Sequence, residues 1–405
     1  MDMRDFHEIY ALTMERGQNR FQEKNKISAV PCYCTYSDLA GRVLSTDINS
    51  DRDLPPFNRV AMDGYACLKD DIHQPLDIIG TVAAGERSSL TVKPGTCIKV
   101  MTGAVLPSGA EIVIMVESTV IDSDGRMVFK GSDVERNNGN FSHKGEDVSA
   151  GERILNKGRI LSPKHTALLA SVGVTQIPVR PLPRVGILST GDEVVKPEEQ
   201  PLPHQIRNAN APQLVSLLME MHISPVNYDI VSDDIDSLTE TISWAQTEND
   251  VVLMSGGVSM GDFDLAPNAM KNCGFRILYD RVAVKPGKPT TFAVSDRADL
   301  FGLPGNPVSC FVIFHLLVKP YIYRMMGAVS DPPGLTAVMS TDFTRKKTAR
   351  DEWIPVSIEG DGTATPIPYH GSGHYYAVAQ ADGMVMIHKG SSILEKGSTV
   401  ALRLF

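Results

Sequence analysis

Gly302-Leu303-Pro304-Gly305-Asn306-Pro307-Val308-Ser309 reads as a buried strand running into the start of an anion-binding helix. Leu300 to Leu303 is a short apolar run of strand character. Two glycines then let the backbone turn tightly and approach a ligand closely. Asn306 suits the N-cap, and Pro307 suits the first helical position, where no backbone N–H is needed. The apolar segment Val308–Met326 follows as a helix. Its N-terminus offers free N–H groups and a partial positive charge, which makes phosphate or another oxyanion the natural ligand.

Working outward, strands alternate with helices from Arg184 onward. Strand candidates are Arg184–Ser189, Pro225–Ile230, Val251–Ser255, Phe275–Tyr279 and Leu300–Leu303. Helix candidates are Pro212–Met221, Ile235–Ala245, Leu265–Lys271 and Val308–Met326. This rhythm predicts a doubly wound, mostly parallel α/β domain with ligands outside the carboxyl ends of its strands. Three of those ends carry glycine and hydroxyl residues: Ser189-Thr190-Gly191-Asp192-Glu193, Ser255-Gly256-Gly257-Val258-Ser259-Met260-Gly261-Asp262, and the Gly302–Ser309 loop. Their N–H groups and hydroxyls suit phosphate or carbonyl oxygens, and the carboxylates of the first two suit Mg²⁺. Val284-Lys285-Pro286-Gly287-Lys288-Pro289 adds two ammonium groups on a turn stiffened by prolines, which reads as an oxyanion contact or as a solvated lysine turn.

The rest of the chain has a different texture. Asp5–Arg16 carries apolar residues at helical spacing, and Ser37–Leu44 reads as a short helix ending at Gly41 and leading into an extended segment. Ile78–Val82, Thr96–Met101, Ile112–Val116 and Met127–Phe129 are β-prone runs set among glycine, proline and aspartate, as in a small all-β module. Ser162-Pro163 opens a helix that Gly173 closes. Beyond Asp331-Pro332-Pro333-Gly334, short strands return at Val338–Ser340, Trp353–Ile358, Met384–His388 and Thr399–Leu404. The 405 residues predict about two to four domains. A net charge of −9 argues against general nucleic-acid or anionic-membrane binding. No contiguous apolar run approaches the roughly 20 residues that span a bilayer. The six cysteines are scattered and read as reduced thiols of a cytoplasmic protein, and the ten histidines form no ligand-spaced pair.

Seven motifs in order carry a family resemblance: Ala61–Ala66 (AMDGYA), Met101–Ala104 (MTGA), Gly145-Glu146-Asp147, Ser189–Glu193, Ser255–Asp264, Lys285–Pro289 and Gly302–Ser309. Asp63, standing before Gly64, reads by itself as a turn residue. Together the motifs resemble the molybdopterin molybdotransferases, the MoeA and gephyrin E-domain family, over essentially the whole chain. The resemblance implies four parts: a mixed linker domain at 1–50 and 145–180, a β-rich arm at 51–144, the α/β molybdopterin-binding domain at 181–328, and a C-terminal β-barrel-like domain at 329–405. It implies insertion of molybdate into adenylylated molybdopterin with release of AMP, a divalent metal (Mg²⁺), and a homodimer in which the arm of one protomer reaches the α/β domain of the other. Expected partners are a molybdopterin adenylyltransferase and molybdoenzyme apoproteins, with no nucleic acid and no membrane.

Carried over by motif, Ser255, Gly256, Gly257, Ser259, Asp264, Gly305, Asn306 and Pro307 would line the pterin-phosphate and nucleotide pocket. Glu193 and Asp264 would hold the metal or position a water. Arg281, Lys285, Lys288, Pro289, Ser309, Arg350 and Ser372 would form the molybdate pocket. Asp63, Thr102 and Asp147 would come from the arm. Relatives often carry Asp-Asn-Ser where this chain has Asn58-Arg59-Val60, and lysine where it has Arg281. The competing readings are a molybdopterin adenylyltransferase and a non-catalytic gephyrin-like scaffold.

Overall fold

The computed structural model describes residues 4–27, 32–86, 88–131, 139–257, 265–329, 334–369 and 373–405. The chain forms two compact units. The larger joins Met1–Thr46, Lys157–Thr166 and Thr175–Phe405, and the smaller joins Asp47–Asn156 with Ala167–Val174.

The larger unit opens with helix α1 (Phe6–Ile27). Asp5 accepts a hydrogen bond from the His7 amide, as an N-terminal cap does. The helix runs well past the expected end at Arg16. Gly17 does not stop it, because a Cβ there would lie 3.1 Å from the Arg324 side chain; the glycine permits close packing of two helices. Ser37–Leu44 is not a helix but one 3-10 turn, Tyr36–Asp38, followed by bridged backbone at Val43 and Leu44.

Six strands form the central sheet: β1 (Val185–Thr190), β2 (Val226–Val231), β3 (Val251–Ser255), β4 (Arg276–Tyr279), β5 (Thr291–Val294) and β6 (Asp299–Leu303). Their order is β2-β1-β3-β6-β5-β4. The pairs joining β2, β1, β3 and β6 are parallel, while β5 is antiparallel to both β6 and β4. Helices α2 (Asn210–Met219), α3 (Ile235–Glu248), α4 (Ala266–Asn272) and α5 (Pro307–Met325) accompany the strands. Both sheet faces are covered, so the strands read as continuous apolar runs. Ile187, Leu253, Phe301 and Leu303 pack with α1 and α5 on one side. Leu188, Val252, Met254 and Leu300 pack with α3 and α4 on the other.

Helix α5 has 19 residues and is apolar enough to cross a membrane by length and composition, contrary to the reading from contiguous apolar runs. Of its apolar window, 78% is buried, as in a core helix. Its middle, Phe314–Val318, is π-helical. Pro320 follows, and a proline inside a helix removes a hydrogen bond and crowds the carbonyl four residues back.

The C-terminal strands Leu335–Met339, Asp351–Ile358, Thr363–Pro366, Gly383–Ile387 and Thr399–Leu404 close on themselves as a small barrel. Met339, Ile354, Val356, Ala364 and Val385 fill it. Val284–Lys285 joins its edge, pairing in parallel with Asp351 and Glu352.

The smaller unit centres on four strands in the order Asp77–Val82, Thr96–Val100, Gly64–Cys67, Ile112–Met115. Alternation sends Ala66, Ile98 and Val113 to one core and Tyr65, Cys67, Cys97 and Ile114 to the other.

Candidate functional site

The three expected loops leave adjacent, in-register strands. Ser189 is level with Ser255, and Ser255 with Leu303. After β1 the chain moves to one side of the sheet, and after β3 to the other, so β1 and β3 flank a topological switch point, the place where open α/β sheets take their ligands. Gly256 has φ +87, and a Cβ on it would lie 2.5 Å from the Thr190 carbonyl oxygen. A Cβ on Gly257 would lie 2.6 Å from Thr190 Oγ1, and one on Gly305 would lie 3.6 Å from Gly256 Cα. Positive φ and the close approach of Thr190 therefore require glycine at 256 and 257, while the Gly305 position sits at ordinary contact distance.

Polar side chains fasten this corner. Ser189 Oγ and Ser255 Oγ are 3.1 Å apart, and Asn208 Nδ2 donates to Ser189 Oγ at 3.0 Å. Asn208 Oδ1 accepts the Ala211 amide at the start of α2, and Asn210 Nδ2 donates to the Gly305 carbonyl at 2.8 Å. Thr190 Oγ1 and Asn210 Oδ1 are buried without a hydrogen-bond partner among the described residues, which leaves two polar atoms for a ligand beside the strand ends. Asn208 and Asn210 were missed in the sequence, although Asn-Ala-Asn ahead of an apolar helix is a recognisable helix-start signal.

Gly302 lies inside β6, level with Met254, and takes no part in the turn. Asn306 occupies the N-cap position with extended backbone, and Pro307 begins the helix, but no side-chain cap bond forms. Ser309 is buried in the first turn. Glu193 is exposed, and its carboxylate folds back over Gly191. Asp233 joins Asp192 and Glu193, its amide bonding Asp192 Oδ1 at 3.1 Å. Local desolvation and these two acidic neighbours raise the carboxyl of exposed Asp233 above the usual range. Ser259, Asp264 and Ser372 lie outside the described residues. Among the described residues no group of three His, Cys, Asp or Glu side chains is placed to hold a metal.

The lysine turn is held by the C-terminal barrel. Lys285 Nζ donates to Glu352 Oε1 at 2.5 Å, and Arg350 Nη1 donates to the Val284 carbonyl at 3.1 Å. Lys288 is exposed, Arg281 and Pro289 are half-buried, and the Val282 amide bonds the Lys288 carbonyl at 3.0 Å. Gly373 lies beside Asn306, its Cβ position being 3.9 Å from Asn306 Nδ2.

In the smaller unit, Asp63 Oδ1 accepts from both the Thr102 amide and the Thr102 hydroxyl at 2.7 Å. These bonds hold the Asp63 carboxyl below the usual range, with the backbone bond leading. Asp147 is exposed and donates its amide to the Leu54 carbonyl. The Asn58-Arg59-Val60 departure is structural here: Asn58 Oδ1 accepts the Lys144 amide, and buried Val60 pairs with Phe141.

The comparisons with known proteins agree along the chain. Residues 11–173 match the family described as MoeA N-terminal region (domain I and II). Residues 186–324 match a probable molybdopterin binding domain, and residues 336–405 match MoeA C-terminal region (domain IV). A molybdopterin molybdenumtransferase of Staphylococcus epidermidis is 33% identical over 370 residues, covering 89% of this chain and 88% of its own length. One from Staphylococcus aureus is 33% identical over 391 residues, covering 94% and 93%. The crystal structure of a molybdopterin biosynthesis moeA protein from Pyrococcus horikoshii OT3 superposes with a TM-score of 0.79 at 29% identity, covering 100% of both chains. Matched from its N-terminal region to its C-terminal barrel, the chain belongs to the MoeA family.

Proposed function

We propose that this protein is a molybdopterin molybdenumtransferase that inserts molybdate into adenylylated molybdopterin and releases AMP. The observation that carries the reading is the convergence of Thr190, Gly256, Gly257 and Gly305 at three in-register strand ends, with two orphaned polar atoms beside them. A switch point of this construction suits the phosphate-bearing pterin and nucleotide.

On this reading Ser255, Gly256, Gly257, Ser259, Gly305, Asn306 and Pro307 bind that substrate. Arg281, Lys285, Lys288, Pro289, Ser309, Arg350 and Ser372 bind molybdate, and Asp63, Thr102, Asp147, Glu193 and Asp264 complete the site. The protein's part is positioning and charge neutralisation: backbone N–H groups orient the phosphates, and the lysine turn offsets the charge of the oxyanion. Mg²⁺ at Glu193 and Asp264 is part of the proposal, as are a homodimer, a cytoplasmic setting, and hand-over from an adenylyltransferase and to apoenzymes.

Adenylylated molybdopterin and molybdate, incubated with the purified protein, should yield AMP in proportion to turnover. An adenylyltransferase would not require molybdate for nucleotide release, and a scaffold would release none. Either outcome overturns the proposal. Repeating the assay with a chelator and then with added Mg²⁺ tests the metal.

A further inference from the structure

Glu352 was not among the residues singled out by motif, yet it is the group that touches Lys285. It lies on the strand Asp351–Ile358, level with Lys285 across a parallel pairing. Its side chain is 4% exposed. One carboxylate oxygen accepts from Lys285 Nζ at 2.5 Å, and the other faces Arg345 Nη1 at 3.4 Å.

The two cations differ. The Arg345 side chain is 5% exposed, and all three of its guanidinium nitrogens donate hydrogen bonds. It donates to the carbonyls of Arg350 at 2.8 Å, His388 at 2.5 Å and Ser391 at 2.9 Å. Lys285 is 42% exposed and has Glu352 as its one ion-pair partner among the described residues. The neighbouring Asp351 projects from the opposite strand face, where it accepts the Lys389 amide at 2.8 Å. One carboxylate thus stands between two cations. Arg345 balances it, so one net positive charge remains, and the exposed member of the trio carries it.

We infer that Glu352 is a positioning residue: it aims the Lys285 ammonium toward the oxyanion, while Arg345 keeps that carboxylate from cancelling the lysine's charge. A lone Glu–Lys pair would present a neutral surface to a dianion, whereas the Arg–Glu–Lys order presents a cation at a set place. The inference rests on the proposed function in that it takes molybdate as the oxyanion.

The test is molybdate binding to the purified full-length protein by calorimetry, without pterin. The variants are Glu352→Gln, Lys285→Ala and the double substitution. Losing a charge-assisted contact predicts that Glu352→Gln weakens binding about ten-fold. The double variant should bind no worse than Lys285→Ala, because Glu352 acts through the lysine. Unchanged or tighter binding by Glu352→Gln overturns the inference, as do losses that multiply in the double variant or no molybdate binding by the wild type. If Glu352→Gln does not fold, Glu352→Asp keeps the charge beside Arg345 but falls one methylene short of Lys285. That variant should show the same loss, and wild-type affinity in it overturns the inference. AMP release by the wild-type sample is measured in parallel. Its absence defeats the proposed function, while the ratio of molybdate affinities still decides the role of Glu352.

Discussion

Two buried carboxylates in the larger unit, Asp299 and Glu352, are each met by two basic side chains, yet they serve different ends. Asp299 begins β6, is fully buried, and accepts hydrogen bonds from Arg16 and Arg20 of α1 at 3.0–3.1 Å. The Tyr321 hydroxyl of α5 donates to it as well. Both guanidiniums also donate to the Ser295 carbonyl, and Arg20 reaches Asp296 O. Asp299 and Arg20 are enclosed, Arg16 nearly so, and half-exposed Glu23 caps both guanidiniums from outside at 3.3–3.4 Å, so the cluster is spent on itself and fastens α1 and α5 to the amino end of the strand. At Glu352 one cation is equally enclosed, but the other stands half in solvent. A closed cluster holds elements together, and a cluster open on one side can still meet a ligand. Framework thus lies at the amino end of β6, while the proposed site lies at its opposite end and in the lysine turn.

The largest effect should follow from Asp299→Asn, which removes the buried carboxylate shared by Arg16 and Arg20 and leaves them only the half-exposed Glu23, at 3.3–3.4 Å. Breaking such a pair costs about 3–5 kcal/mol, to be read from urea unfolding. A loss under about 1 kcal/mol would mean that the cluster is not what fastens α1.

Gly256→Ala should rank next. It must hold an L-residue at φ +87 and push its Cβ against the Thr190 carbonyl, for a cost of about 2–4 kcal/mol. Gly274→Ala is the matched control, at φ +81 with nothing within 4 Å, and should show only the conformational part, about 1–2 kcal/mol. Equal losses in the two variants would remove close approach as the reason for glycine at the strand end.

Lys288→Ala should leave unfolding unchanged, because the side chain is exposed, while raising the molybdate requirement of AMP release. The expected loss of about 1.5–3 kcal/mol in affinity is roughly ten- to a hundred-fold. An unchanged molybdate dependence would remove Lys288 from the site and leave the open region resting on Lys285.

The smallest effect concerns Asp233. Its carboxyl is raised by local desolvation and by Asp192 and Glu193, so the folded state holds its proton to higher pH than the unfolded chain does. That contribution to stability is present below the unfolded pKa and lost as pH rises through the folded value. Asp233→Asn should therefore raise the melting temperature slightly at pH 7 and have no effect near pH 3.5. A lower melting temperature at pH 7 would show that the carboxylate is held by favourable partners.

The sequence by itself determined what local pattern can encode. Apolar runs such as Val251–Ser255, the glycines at 256, 257 and 305, and the Asn306-Pro307 helix start each report burial, turning or capping within a few residues. The seven motifs then identified the family. Strand β5 escaped because four residues after the proline-rich lysine turn carry too short a pattern, and the helix over Asp5–Arg16 runs on to Ile27 because the reason for Gly17, close packing against Arg324, lies on another helix. Only the tertiary structure joined Lys285 to Glu352, 67 residues away, Asn210 to Gly305, and Arg16 to Asp299 across 283 residues. Charge and hydrogen-bond partners depend on distance in space, and no local periodicity records which carboxylate a folded chain will set beside a given cation.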